Sequence, residues 1–202
     1  MSTRARGDTF ERRVYSALNR ELQGERLCVA PKHAKIFAKK SYYSRDRESQ
    51  IVTDISIEVF LPERDRPTFV WVFECKDYRN KVPVNDVEEF HAKLEQIGED
   101  NTKGTFVTNA ALQRGALAFA RAKGIGVIRL LPEDQIEVIL ELRGIRWRAD
   151  DWSEFDAALT IPRHRSRRSF FAEQRGYRFG DWQSLLSHVL SEELGYPPQP
   201  LY

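Results

Sequence analysis

Apolar residues recur along the chain at two different spacings, and the change from one to the other marks the elements. Phe10, Val14, Leu18 and Leu22 stand four apart, which predicts an amphipathic helix from about Asp8 to Leu22. Asp8 and Glu11 have the spacing of a capping box at its start, and Glu11 also lies at the border of the apolar stripe. Residues 51–61 alternate instead. Ile51, Thr53, Ile55, Ile57, Val59 and Leu61 fall on one face and Asp54, Ser56 and Glu58 on the other, the pattern of a strand. Proline and charge in "PERDRP" make a turn, and "TFVWVFECKD" predicts a second strand, joined to the first as a hairpin or meander. Helical spacing returns at Val87, Phe90, Leu94 and Ile97, with Asn85 and Glu88 as a second capping box. A strand in "KGTFVTNA", a helix in "ALQRGALAFARAKG" ending at Gly124, and a strand in "IGVIRLL" complete the order α-β-β-α-β-α-β.

That order predicts an α/β domain over residues 1–132, three layers deep, with a partly parallel sheet covered by helices. Beyond Pro132 the pattern changes. "DQIEVILELRG" reads as a strand or short helix, Trp147 and Trp152 sit among charges, "DWQSLLSHVLSEEL" predicts a terminal helix, and the proline-rich "GYPPQPLY" predicts a loose end. Residues 133–202 are read as an extension that packs on the main domain or grips a partner.

Composition narrows the class. With 41% hydrophobic and 31% charged residues the chain has material for one core and a strongly ionic surface. No run approaches the roughly 18 apolar residues of a membrane helix, and the first residues lack an apolar signal core. A cytoplasmic protein without membrane partners is expected. Cys28 and Cys75 lie far apart, with neither metal-ligand spacing nor a disulfide framework. Net charge is only +2, but it is unevenly placed. From Arg26 to Arg47 seven Lys or Arg face one acid, Asp46, among Phe37, Tyr42 and Tyr43; residues 163–178 carry six Arg against Glu173. Either cluster alone reads as a solvated face, whereas two with aromatics suit a phosphate backbone.

Candidate chemistry lies at the end of the second strand. Val70, Val72, Glu74 and Lys76 share one face, which turns from apolar to ionic as the strand ends, as where α/β sheets open into a cleft. Asp54 lies on the polar face of the preceding strand, where pairing can bring it beside Glu74. Two carboxylates that close repel unless a cation separates them, and a few hard oxygens suit Mg²⁺ or Mn²⁺. Lys76 adds an ammonium on the same face. Together these suit phosphodiester hydrolysis, while a solvated Glu-Lys ladder on an edge strand is the plainer reading.

At these residues the chain resembles the PD-(D/E)XK nuclease superfamily, with Asp54, Glu74, Cys75 and Lys76 in "TDISIEV" and "FECK" matching its split motif. "GDTFERRVYSAL" is similar to the first helix of Mrr-like restriction endonuclease domains, and the course of residues 76–131 is similar as well. The likeness covers roughly residues 7–131. It departs at Thr53, where many members have proline, and in a long interval between the acids that leaves Glu58 as a competing ligand. The resemblance implies a restriction-endonuclease-like α/β/α core with a mixed sheet. It also implies Mg²⁺ (or Mn²⁺) held by Asp54, Glu74 and the carbonyl of Cys75, an attacking water positioned by Lys76, and an outer water steered by Glu11. In-line cleavage would leave a 5′-phosphate and a 3′-hydroxyl.

The expected function is therefore a metal-dependent endodeoxyribonuclease acting on double-stranded DNA, for which two active sites, and so a homodimer, would serve. The alternative is a nuclease-like module that only holds nucleic acid or docks into a defence or repair assembly; the intact Asp54, Glu74 and Lys76 disfavour it. His33, His91, His164 and His188 lack ligand spacing and are read as structural or surface residues. Gly104, Gly124 and Gly126 form no phosphate loop. Asn109, ending a strand, is a weaker candidate for touching substrate.

Overall fold

The computed structural model describes residues 3–24, 29–61, 64–98, 101–132, 152–166 and 168–195. Cys28, Trp147, "DQIEVILELRG" and most of "GYPPQPLY" lie outside the described residues. A seven-stranded mixed sheet runs in the order β1-β4-β5-β6-β7-β8-β9. Its strands are β1 (Ala34–Ala38), β4 (Ile55–Val59), β5 (Phe69–Lys76), β6 (Thr102–Thr108), β7 (Gly126–Leu130), β8 (Phe170–Gln174) and β9 (Tyr177–Phe179). β5, β6 and β7 are parallel and the remaining pairings antiparallel. The parallel centre follows from the helical crossovers α2 (Val84–Ile97) and α3 (Arg114–Ala122), since a hairpin cannot join parallel strands.

Helices cover both faces. On one lie α1 (Thr3–Gln23) and α5 (Trp182–Leu194): Val14, Leu18, Leu186 and Leu190 pack with Ile57, Trp71, Phe73 and Ile128. On the other, α2, α3 and α4 (Trp152–Thr160) bring Phe90, Leu117 and Leu159 onto Val72, Phe106 and Phe171. Because both faces are buried, β5 is apolar on alternate residues in both directions, and Trp71 satisfies its indole N–H on Thr105 Oγ1 at 2.8 Å. Gly104 has no room for a side chain, as a Cβ there would lie 2.2 Å from Leu94 Cδ1 and 2.9 Å from the Phe90 ring. The segment after residue 132 extends the sheet through β8 and β9, and α5 starts on an Asp181 cap that accepts from Ser184 N at 2.8 Å.

Several expectations need correction. Helix α1 begins at Thr3, not Asp8, so Asp8 lies inside the helix and does not cap it. The first turn of α2 is capped by no side chain: Pro83 is the N-cap and Asn85 already helical. The strand expected over 51–61 is divided between two sheets. β3 (Ser49–Val52) pairs with β2 (Ser41–Ser44) in a separate ribbon, and β4 joins the main sheet. Ala38↔Ile55 and Ser41↔Val52 keep a single register, so β1 to β4 form one long antiparallel hairpin bent at Lys39–Lys40 and Thr53–Asp54. Main-chain bonds Lys39 N→Asp54 O and Thr53 N→Lys40 O, both 2.9 Å, carry pairing through the bend. The basic stretch, read as a patch, thus supplies two strands, and the polar face of β4 is buried: Ser56 is wholly covered and Glu58 4% exposed.

Candidate active site

The hairpin bend brings Asp54 to the carboxyl end of β5. Continuing the β4–β5 register one residue beyond Ile55↔Phe73 sets Asp54 across from Glu74. Its Oδ2 accepts the main-chain N–H of Cys75 at 2.9 Å, which fixes the carboxylate against the segment Glu74-Cys75-Lys76. Glu74, nearly buried, receives two ammoniums on Oε1, Lys76 at 2.9 Å and Lys93 at 3.0 Å. Lys93 reaches it from α2. Glu11, from α1, shares Lys39 with Asp54: Lys39 Nζ lies 2.5 Å from Glu11 Oε2 and 2.8 Å from Asp54 Oδ1.

Electrostatics here follow from burial and crowding. Burial raises the Glu11 pKa, and the Asp54 charge adds to it against the bond from Lys39. Burial opposes the Lys39 ammonium, but its bonds to Asp54 and Glu11 outweigh that and raise its pKa. Lys76 behaves alike: burial is overcome by the charge and hydrogen bond of Glu74 and by Asp54, and its pKa moves well above the ordinary lysine value. Burial, then the charges of Asp54, Glu11 and Glu74, push the Cys75 thiol far up. That side chain belongs to the core on the α1 face, so only its main-chain carbonyl can serve as an oxygen ligand.

Glu58 stands apart from this group. It takes Lys40 Nζ at 2.5 Å and Tyr42 Oη at 2.9 Å, and Tyr42 also bonds Ser56 at 2.8 Å. Asn109, following β6, is part-exposed and tied to its neighbours: its Oδ1 accepts from Tyr78 N at 2.9 Å and its Nδ2 donates to Asp77 Oδ1 at 2.5 Å. Arg6 completes the Asp77 pair at 3.1 Å. Beside these residues a cleft of about 370 Å³ is lined by Arg6, Arg79, Lys81 and Arg129. His188 lies against the Tyr177 ring in a tilted contact, and His91 faces Glu95 one helical turn on.

Lys39 and Lys93 were not singled out from sequence. Lys93 flanks the Phe90 and Leu94 stripe, a signal that could place it over β5. Lys39 required the hairpin register, which its short strands hide.

Whether these groups suit a divalent ion can be judged from their own chemistry. Asp54, Glu74 and the Cys75 carbonyl are hard oxygens, and both carboxylates already gather ammonium groups within 3.0 Å. That is the behaviour Mg²⁺ or Mn²⁺ exploits. Among the described residues no three His, Cys, Asp or Glu side chains are grouped to hold a metal, so main-chain oxygen and water would complete the shell.

No curated protein matches the sequence. Among solved structures, the crystal structure of the protein of unknown function AF1548 aligns with a TM-score of 0.38 and 16% identity over 55% of this chain. The alignment covers 56% of that protein, little more than half its length. Residues 25–140, more than half of the sequence, match the restriction endonuclease family Mrr_cat, and with the mixed sheet between helices described above the chain belongs to that family.

Proposed function

We propose that this nuclease domain is a divalent-metal-dependent endodeoxyribonuclease that hydrolyses phosphodiester bonds in duplex DNA. The observation that carries the reading is the bond from Cys75 N–H to Asp54 Oδ2, which ties the acid of one strand end to the centre of Glu74-Cys75-Lys76 on the next. Asp54, Glu74 and the carbonyl of Cys75 would hold Mg²⁺ or Mn²⁺. Bound there, such an ion supplies Lewis-acid polarisation of a phosphate and a water nucleophile at neutral pH.

The chain's own groups do the rest. Lys76, kept as an ammonium by Glu74, orients the attacking water and offsets negative charge growing on the phosphate, worth about 3 kcal/mol by comparison with a lost oxyanion donor. Glu11, at the rim, accepts a hydrogen bond from an outer water and so orients it. Lys93 shares the Glu74 charge and holds that carboxylate toward the strand end. Arg6, Arg79 and Lys81 line a cleft beside the site, where flanking phosphates of the backbone would lie. Cutting both strands of a duplex calls for two such sites, and hence a homodimer on DNA.

One observation favours a second reading, a module that holds nucleic acid without cutting it: each of Glu11, Asp54 and Glu74 is already matched by a lysine. Supercoiled plasmid incubated with Mg²⁺ or Mn²⁺ separates the two. Nicking and linearisation by the wild type, lost in Asp54→Ala and in Lys76→Ala, is the expected result. Retarded but uncut plasmid would assign the holding role, and cutting that survives both substitutions would place the chemistry elsewhere.

A further inference from the structure

Lys39 is the residue on which the two functional readings turn. Its ammonium is wedged between Glu11 Oε2 and Asp54 Oδ1, at 2.5 and 2.8 Å, in the position a cation would take between those carboxylates. Asp54 cannot turn away, because Oδ2 is held by the N–H of Cys75. The backbone at Lys39 is left-handed, with φ of +52°, a conformation that favours Gly or Asn and is uncommon for a long side chain. Of the other non-glycine residues with positive φ, Glu48 and Arg175 lie in tight turns that leave their side chains out of the site. Lys39 instead spends that conformation on aiming its stem across the hairpin bend. An ion pair with its ammonium half exposed recovers little stability, about 1 kcal/mol, so stabilising the bend is a weak explanation for a lysine there. The Lys39 side chain is half exposed while Glu11 and Asp54 are under 20% exposed, so the ammonium can swing to water and leave the carboxylates in place.

Resting on the metal reading above, we propose that Lys39, anchored by Glu11, is an exchangeable counter-cation that competes with the divalent ion for Asp54, and so sets the metal affinity of the nucleic-acid-free protein. A divalent ion must displace the ammonium and then bear its repulsion nearby; both effects weaken binding. Removing the charge should tighten it.

The test is a Mn²⁺ titration of the full chain without nucleic acid, reading free Mn²⁺ by electron paramagnetic resonance. Lys39→Asn removes the charge and tolerates the left-handed backbone; Lys39→Arg keeps the charge. The expected result is a Kd at least about tenfold lower for Lys39→Asn and one close to wild type for Lys39→Arg. The gain should vanish when Asp54→Asn is added. Lys39→Gln serves as a second neutral variant should thermal melting find Lys39→Asn unfolded. A wild-type protein that binds Mn²⁺ no more weakly than both neutral variants overturns the proposal and leaves the metal site standing. Absence of binding in wild type and neutral variants alike removes the metal site itself, and the competition with it.

Discussion

The Arg129 guanidinium, wholly buried in β7, donates from Nε to the main-chain carbonyl of Asn109 at 3.2 Å. Asn109 in turn bonds Asp77 and Tyr78, directly after Lys76, so the pair links the centre of the sheet to the candidate site. Other donors of Arg129 reach the carbonyls of Ala158, Ile161 (2.7 Å) and Pro162 (2.9 Å), where α4 ends and leaves carbonyls in need of partners. Burial lowers its pKa to about 10, and it stays charged at neutral pH. Arg129→Met should therefore cost about 3 kcal/mol, mainly from carbonyls left without a donor. Urea unfolding measures it, and a loss under about 1 kcal/mol would contradict this account.

Asp54→Asn separates charge from geometry. The amide oxygen can still accept from Cys75 N–H, and Lys39, which loses one carboxylate partner, is itself half exposed and keeps Glu11. Stability should fall by less than about 1 kcal/mol, with DNA cutting reduced at least about a hundredfold. Parallel melting and plasmid assays on one preparation check both halves.

Lys76 is expected to act as a fixed charge. Its pKa is raised by Glu74, so its ion-pair stabilisation is complete below the ordinary lysine value of 10.5 and is lost only as pH rises through the higher folded value. Lys76→Ala should slow cutting about a hundredfold, and the ratio of wild-type to variant rates should be flat from about pH 6 to about pH 10. A ratio that changes with a midpoint inside that range would make Lys76 a proton acceptor.

A structural network tests the C-terminal segment. Asp156 receives Arg121 at 2.8 Å and Arg178 at 3.1 Å, and these arginines also hold Glu173. Burial works against the Asp156 charge, but the bond from Arg121 and the charge of Arg178 prevail and lower its pKa below the ordinary 3.8. Its stabilisation is present above 3.8 and lost as pH falls through the folded value. With the carboxylate half exposed, Asp156→Asn should cost less than about 1 kcal/mol near neutrality. Melting curves of the two proteins should converge as pH drops below 3.8.

Periodicity made much of the fold legible. Phe10, Val14, Leu18 and Leu22 form the buried face of α1, and Val87, Phe90 and Leu94 that of α2, because burial of one stripe is what forces the spacing. Helix ends were less readable. A capping box needs only two residue types three apart, so Asp8 with Glu11 matches it by chance within a helix that continues back to Thr3. β1 and β2 were hidden by the basic residues around them, Lys35 within β1 and Lys39, Lys40, Arg45 and Arg47 beside the two strands, whose charges suggested surface while the backbones paired. The split motif revealed Asp54, Glu74 and Lys76 as candidates, but a counter-charge such as Lys39 or Lys93 leaves no local pattern. Its place depends on a hairpin register in one case and on helix-to-sheet packing in the other.

The central claim is that Asp54, Glu74 and the Cys75 carbonyl share one divalent ion. Crystals of the full chain soaked in Mn²⁺, with anomalous scattering recorded, test it most directly. The account predicts a single peak about 2.1 Å from oxygens of all three residues, with water completing the shell. A peak lodged at Glu58 instead, or none beside Asp54 while Lys39 stays between the carboxylates at high Mn²⁺, would contradict it.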